Sequence, residues 1–102
     1  MELIGPEELK SRMDAQEEIN LVDVRELSEH TAYNIGGQLI PLGNILSMQI
    51  EDLYDLKDQE IIFYCRSGNR SAQACLMLET MGFKNVKNLV GGMLLWQEKF
   101  PG

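Results

Sequence analysis

The chain has 102 residues, 44% hydrophobic and 25% charged, with 9 basic and 16 acidic residues and a net charge of −7. These values suggest one globular domain over residues 1–102 with a modest core. They argue against a nucleic-acid partner, which wants a basic face, and no apolar run approaches the ~18 residues of a membrane span.

The chain opens with MELIGPEELK, which has no basic region ahead of an apolar stretch. It does not read as a secretory signal, so a cytoplasmic location is expected. Two cysteines do not make a disulfide framework, and with a single histidine they do not make a zinc site. No metal is expected.

Met1–Ile4 reads as a short edge strand, and GPEELKSRM as a helix with an early proline, first-turn acids and Leu9 and Met13 on one face. Ile19–Val24 (INLVDV) is β-branched and apolar, the pattern of a buried strand. RELSEHTAY predicts a short helix, broken by NIGG, and QLIPLG a short strand ending near Pro41. SMQIEDLYDL predicts a helix capped by Ser47, with Ile50, Leu53 and Leu56 three apart. Its acids Glu51, Asp52, Asp55 and Asp58 read as a solvated face, or else a docking surface for a basic partner. EIIFYC is a second buried strand. NRSAQACLMLETMGF is a helix with Ala72, Leu76 and Met77 inward and Gly82 closing it. NVKNLV is a last strand and GGMLLWQEKF a last helix, with Trp96 and Met93–Leu95 in the core and Pro101 as its stop. Strands that alternate with helices predict an α/β fold with a central parallel sheet of about five strands.

In such sheets, ligands bind beyond the carboxyl ends of the strands. Cys65 stands at one such end, in YCRSGNRSAQAC. Net charge is −10 over the first 60 residues and +3 over the rest, and no acid occurs from Ile61 to Leu78. If Cys65–Arg70 curls over the following helix N-terminus, its N–H groups converge as an anion nest. Gly68 permits a positive φ, and Ser67, Asn69 and Ser71 are small and polar, with Asn69 or Ser71 a candidate cap. Converging amides with Arg66 and Arg70 favour thiolate, the nucleophilic form. At least one of the two arginines is expected to bind an anion; Arg70 could instead form a structural ion pair. Asp23 and Arg25 read as a structural pair that braces the loop from beneath. Cys75 reads as core packing and His30 as surface or rim.

Two chemistries use a cysteine in an amide cradle: phosphoryl transfer and sulfur transfer. Cysteine phosphatases carry C-x5-R; this loop is C-x4-R, and its smaller ring favours one added sulfur over a phosphate.

The chain resembles the single-domain rhodanese-like sulfurtransferases along nearly its whole length. LVDVRE (Leu21–Glu26), IPLGNI (Ile40–Ile45), YCRSGNRSAQAC and GFKNVKNLVGGMLLW occur in that family's order and spacing. The resemblance implies a five-stranded parallel sheet with helices on both faces. It implies that Cys65 accepts a sulfane sulfur from thiosulfate or another persulfide donor and passes it to a thiol or cyanide, with a sulfur-relay protein as a possible partner and no cofactor. It makes Arg66, Ser67, Gly68, Asn69, Arg70 and Ser71 the substrate-binding ring. A phosphatase or arsenate reductase on the same scaffold is the enzymatic alternative, and a non-catalytic rhodanese-like binding module the other. The family's His-Ile-Pro-Gly-Ala stretch is altered: NIGGQLIPL is one residue shorter, with Asn34 for histidine and Gly36 for proline.

Overall fold

The structure is a computed structural model and describes residues 1–101. Five strands alternate with helices: β1 (Glu2–Ile4), α1 (Pro6–Asp14), β2 (Leu21–Asp23), α2 (Leu27–Ala32), β3 (Gln38–Leu39), α3 (Leu42–Leu46), a 3-10 segment (Glu51–Leu56), β4 (Glu60–Tyr64), α4 (Asn69–Thr80), β5 (Asn85–Leu89) and α5 (Gly92–Lys99). All neighbouring strands are parallel, in the order β1-β5-β4-β2-β3. The expected fold class is present.

Strand alternation splits the core into two layers. Ile61 and Phe63 of β4 face one side with Ile45, Leu53, Ala74, Cys75 and Leu78. Ile62 and Tyr64 face the other with Leu9, Met93 and Trp96. Thus α3, the 3-10 segment and α4 cover one face, and α1 and α5 the other. β4 is the central strand, buried on both sides, so its carboxyl end is held by the whole sheet.

Three local expectations are corrected. The buried face of α4 is Ser71, Ala74, Cys75 and Leu78. Ala72 and Met77 are half-buried, and Leu76 is 55% exposed. The i, i+3, i+4, i+7 stripe starting at Ser71 is the one that lies on β4 and β5, and its small residues let the helix come close. Ser47 is not an N-cap. It ends α3, where its hydroxyl donates to Gly43 O at 2.8 Å. The run after it is 3-10 rather than α, which suits Ile50, Leu53 and Leu56, because residues three apart eclipse in that helix. In the last helix, Met93 and Trp96 are buried but Leu94 is exposed.

Candidate active site

Tyr64 is the last residue of β4, and the next residue, Cys65, is 1% exposed. The chain then turns through Gly68 and enters α4 at Asn69. Gly68 has φ +104°, the left-handed conformation expected of it, and serves as the N-cap without a side-chain capping bond. The expected caps Asn69 and Ser71 lie inside the helix instead.

The loop's carbonyls are tied outward. Met93 N–H donates to Cys65 O at 2.9 Å and Leu94 N–H to Arg66 O at 3.0 Å. Ala72 N–H donates to Gly68 O at 3.1 Å, joined by Asn88 Nδ2 at 3.0 Å. With these carbonyls occupied, N–H groups are left to turn toward the sulfur. Gly68 N–H donates to Cys65 Sγ at 3.0 Å, and Ser71 Oγ stands 3.4 Å from it. Burial pushes the thiol pKa up, but the Ser71 hydroxyl and the N–H groups of Ser71, Gly68 and Ser67 outweigh it, so Cys65 is more acidic than an ordinary thiol. The cradle donors dominate this shift, and the Arg70 charge adds a weaker Coulombic attraction.

Close docking of α5 on the loop depends on Gly92. Its φ is +55°, and a Cβ there would lie 2.4 Å from Cys65 O and 2.6 Å from Arg66 C.

The two arginines differ. Arg70 is engaged by Glu29 through bonds of 2.7 and 2.8 Å. The acid absent from the neighbouring sequence is supplied by α2. Arg66 is exposed, and its side chain makes no hydrogen bond or ion pair among the described residues. Ser67 and Asn69 are exposed as well.

Asp23 and Arg25 form a buried pair, with Arg25 Nε on Asp23 Oδ1 at 3.0 Å and Nη2 on Oδ2 at 2.8 Å. Burial disfavours both charges, and their mutual bonds more than restore them. The pair does not hydrogen-bond the cysteine loop. It braces the adjoining rim: Arg25 Nη2 donates to Tyr33 O at 2.6 Å, and its guanidinium lies 5.5 Å from the Tyr64 ring centroid. Tyr64 Oη then donates to Gly36 O at 2.8 Å. His30 joins the pair, with Nδ1 2.8 Å from Asp23 Oδ2. It is a rim residue, as expected, with a buried partner. In the altered stretch, Asn34 Oδ1 accepts from Gly36 N–H at 2.8 Å and shapes the turn.

Cys75 lies on the buried face of α4, where burial first and Glu79 second push its thiol up to about 12. Among the described residues no cluster of three His, Cys, Asp or Glu side chains could hold a metal. A polar cleft of about 400 Å³ lined by Asn44, Gln49, Glu51 and Asp52 lies beside β3, away from Cys65. None of its lining residues belongs to the Cys65–Ser71 segment. Glu29, Tyr64 and Asn88 are residues of the site to which the sequence assigns no role, and His30, read as surface or rim, joins them. Asn88 has no local signal of its own, since β5 (NVKNL) also carries Asn85 and Lys87.

The family described as rhodanese-like domain matches residues 5–99. The chain is 43% identical over 91 residues to YtwF of Bacillus subtilis, provisionally named a sulfurtransferase, covering 87% of this chain and 84% of that one. It is 37% identical over 97 residues to YrkF of the same organism, provisionally named a sulfur carrier protein. That match covers 94% of this chain but 51% of YrkF, so the chain spans about half of that relative. The structure of the human single-domain sulfurtransferase TSTD1 superposes with a TM-score of 0.79 at 26% identity, over 97% of each chain.

Proposed function

Because the chain belongs to the rhodanese-like family, we propose that it transfers sulfane sulfur through a persulfide on Cys65. The observation that carries this reading is the cradle: a buried sulfur with Gly68 N–H at 3.0 Å and the Ser71 hydroxyl at 3.4 Å. The Cys65 thiolate attacks the outer sulfur of thiosulfate or another small persulfide donor. The new bond forms from the Sγ electron pair; the donor's S–S bond breaks, and sulfite from thiosulfate, or a thiolate from a persulfide donor, leaves with its electrons. The outer sulfur of Cys65 then carries the negative charge and is held by the loop N–H groups. A thiol, cyanide or the thiol of a sulfur-relay protein attacks that outer sulfur and releases the Cys65 thiolate.

Arg66 is the donor-binding arginine in this scheme, since it follows Cys65 in the chain and is exposed, whereas Arg70 is occupied by Glu29. Ser67, Gly68, Asn69 and Ser71 supply the ring, and Asp23 and Arg25 hold its neighbouring rim. Sulfur is favoured over phosphorus because the C-x4-R ring is one residue shorter than that of the cysteine phosphatases, leaving less room around Sγ for a phosphoryl group with three equatorial oxygens. No helix among the described residues is long and apolar enough to cross a membrane. Both cysteines are free thiols, which suits a reducing, cytoplasmic setting.

Steady-state kinetics with thiosulfate and cyanide test the proposal. Parallel double-reciprocal lines and complete loss in Cys65→Ser are expected. Hydrolysis of aryl phosphates without thiosulfate turnover would replace it with the phosphatase alternative.

A further inference from the structure

Asn88 stands on β5 two residues after Val86, which packs against the α4 side of the sheet. It is 6% exposed, and its amide is divided between two partners. Nδ2 donates to Gly68 O at 3.0 Å, and Oδ1 accepts from Ser71 Oγ at 2.5 Å. A buried amide is costly unless both ends are matched, and here both are matched inside the cysteine loop. The Ser71 hydroxyl has a single proton. Three acceptors lie within reach: Asn88 Oδ1 at 2.5 Å, Gly68 O at 3.2 Å and Cys65 Sγ at 3.4 Å. The hydroxyl serves one of them well at a time.

We propose that Asn88 is a positioning residue for sulfur transfer, holding the Ser71 proton while Cys65 is a thiol or persulfide and yielding it to Sγ when Cys65 is a thiolate. This rests on the persulfide reading above. In the thiol, Sγ–H donates to Ser71 Oγ, and Ser71 O–H donates to Asn88 Oδ1, so every group is matched. When the thiol proton leaves to solvent, the hydroxyl turns to the sulfur anion, because a charge-assisted bond is the stronger. Asn88 Oδ1 then lacks a donor among the described residues. On persulfide formation the Sγ electron pair enters the new S–S bond and the charge moves to the outer sulfur. Sγ becomes a weak, neutral acceptor, and the Ser71 proton returns to Asn88. The free thiolate is thus the least matched of the three states, and Asn88 biases the cycle toward the sulfur-loaded form.

The test is the rate of iodoacetamide alkylation at Cys65 against pH, read by peptide mass. It compares the native chain, Asn88→Leu, Ser71→Ala and the double variant, each with a native circular-dichroism spectrum. Leucine resembles asparagine in size and removes both polar ends. Asn88→Leu alone is expected to lower the apparent pKa of Cys65 by about one unit, a roughly tenfold gain in thiolate below the pKa. In the Ser71→Ala background the same substitution gives no fall. Equal shifts in both backgrounds, or a rise in the first, overturn the proposal and leave Asn88 as an anchor for Gly68. If Asn88→Leu does not fold, Asn88→Ala, which offers the Ser71 hydroxyl no side-chain acceptor, makes the same comparison. Alkylation needs no sulfur donor. Absence of a persulfide therefore defeats the sulfur-transfer reading independently, whereas transfer without this coupling defeats only the role of Asn88.

Discussion

Glu29 closes on Arg70 with two parallel hydrogen bonds, Oε1 to Nη1 at 2.7 Å and Oε2 to Nη2 at 2.8 Å. The pair ties α2 to the first turn of α4, and Glu29 also accepts from Glu26 N–H at 3.1 Å within the α2 capping box. Arg70 is therefore neutralised and held, while Arg66 is not. Glu29→Gln should keep the shape but release the Arg70 charge to the donor, lowering KM for thiosulfate about threefold to tenfold with kcat little changed. Arg66→Ala should raise KM about tenfold. Both effects should shrink as salt is added. If the two substitutions move KM the same way in steady-state assays, the division of labour between the arginines is wrong.

Acid should weaken the fold through two carboxyls. The Arg70 bonds hold Glu29 at about 2, and the Arg12 and Lys87 bonds hold Glu60 at about 2, both below the ordinary 4.5. A carboxyl whose pKa is lower in the folded state stabilises that state above its unfolded pKa. The contribution is lost as pH falls from about 4.5 toward about 2. Both pairs are partly exposed, so solvent screening trims the effect. Glu60→Gln should cost about 1–2 kcal/mol at pH 7. Urea melts across pH should show the native–variant difference closing at the acid end; a difference constant with pH would contradict the linkage.

Gly92→Ala should damage the site more than the fold. The new Cβ would meet Cys65 O and Arg66 C, and φ at +55° strains any L side chain. Stability should fall by about 1–3 kcal/mol, and sulfur transfer by about tenfold to a hundredfold as the loop shifts. Gly82→Ala is the control. Its φ is +94° but nothing lies within 4 Å of the added atom, so it should lose stability by strain and keep its turnover per folded molecule. Equal activity losses in the two variants would separate Gly92 from the loop.

The thiol's acidity should follow the cradle. Ser71→Ala should raise the apparent pKa of Cys65 by about one unit, and Arg66→Ala should leave it near the native value, below the ~8.5 of a free thiol. Cys75→Ser should preserve most activity, since that thiol is fully buried and pushed up to about 12. A large activity loss in Cys75→Ser would instead make Cys75 a resolving thiol.

Local patterns made much of this molecule legible in its sequence. The apolar runs around Val22 and Phe63, and the segment NVKNLV around Val86, form strands of the sheet. Gly68 and Gly82 have the positive φ that their places in the chain require. Cys65 sits at the carboxyl end of the central strand because EIIFY, a short run rich in β-branched and aromatic residues, forms the strand buried on both faces. What escaped depends on distance or register. Glu29 and Arg70 are 41 positions apart, and no local signal pairs them. Asn88 reaches the loop because β5 pairs with β4 at Phe63–Asn88, which places its side chain beneath the first turn of α4. The α4 face was misjudged because apolar residues occur around much of the helix, and Leu76 lies on the exposed side. His30 looked peripheral until α2 folded it onto Asp23.

The central claim is that Cys65 carries the sulfur, and intact-mass spectrometry after exposure to thiosulfate tests it most directly. The protein, incubated with thiosulfate and desalted, should gain the mass of one sulfur atom, lost again on adding cyanide or a thiol reductant. Peptide mapping should place that atom on Cys65, and Cys65→Ser should gain none. An unchanged mass in a folded native protein with a reactive Cys65, or the same gain in Cys65→Ser, would contradict the account.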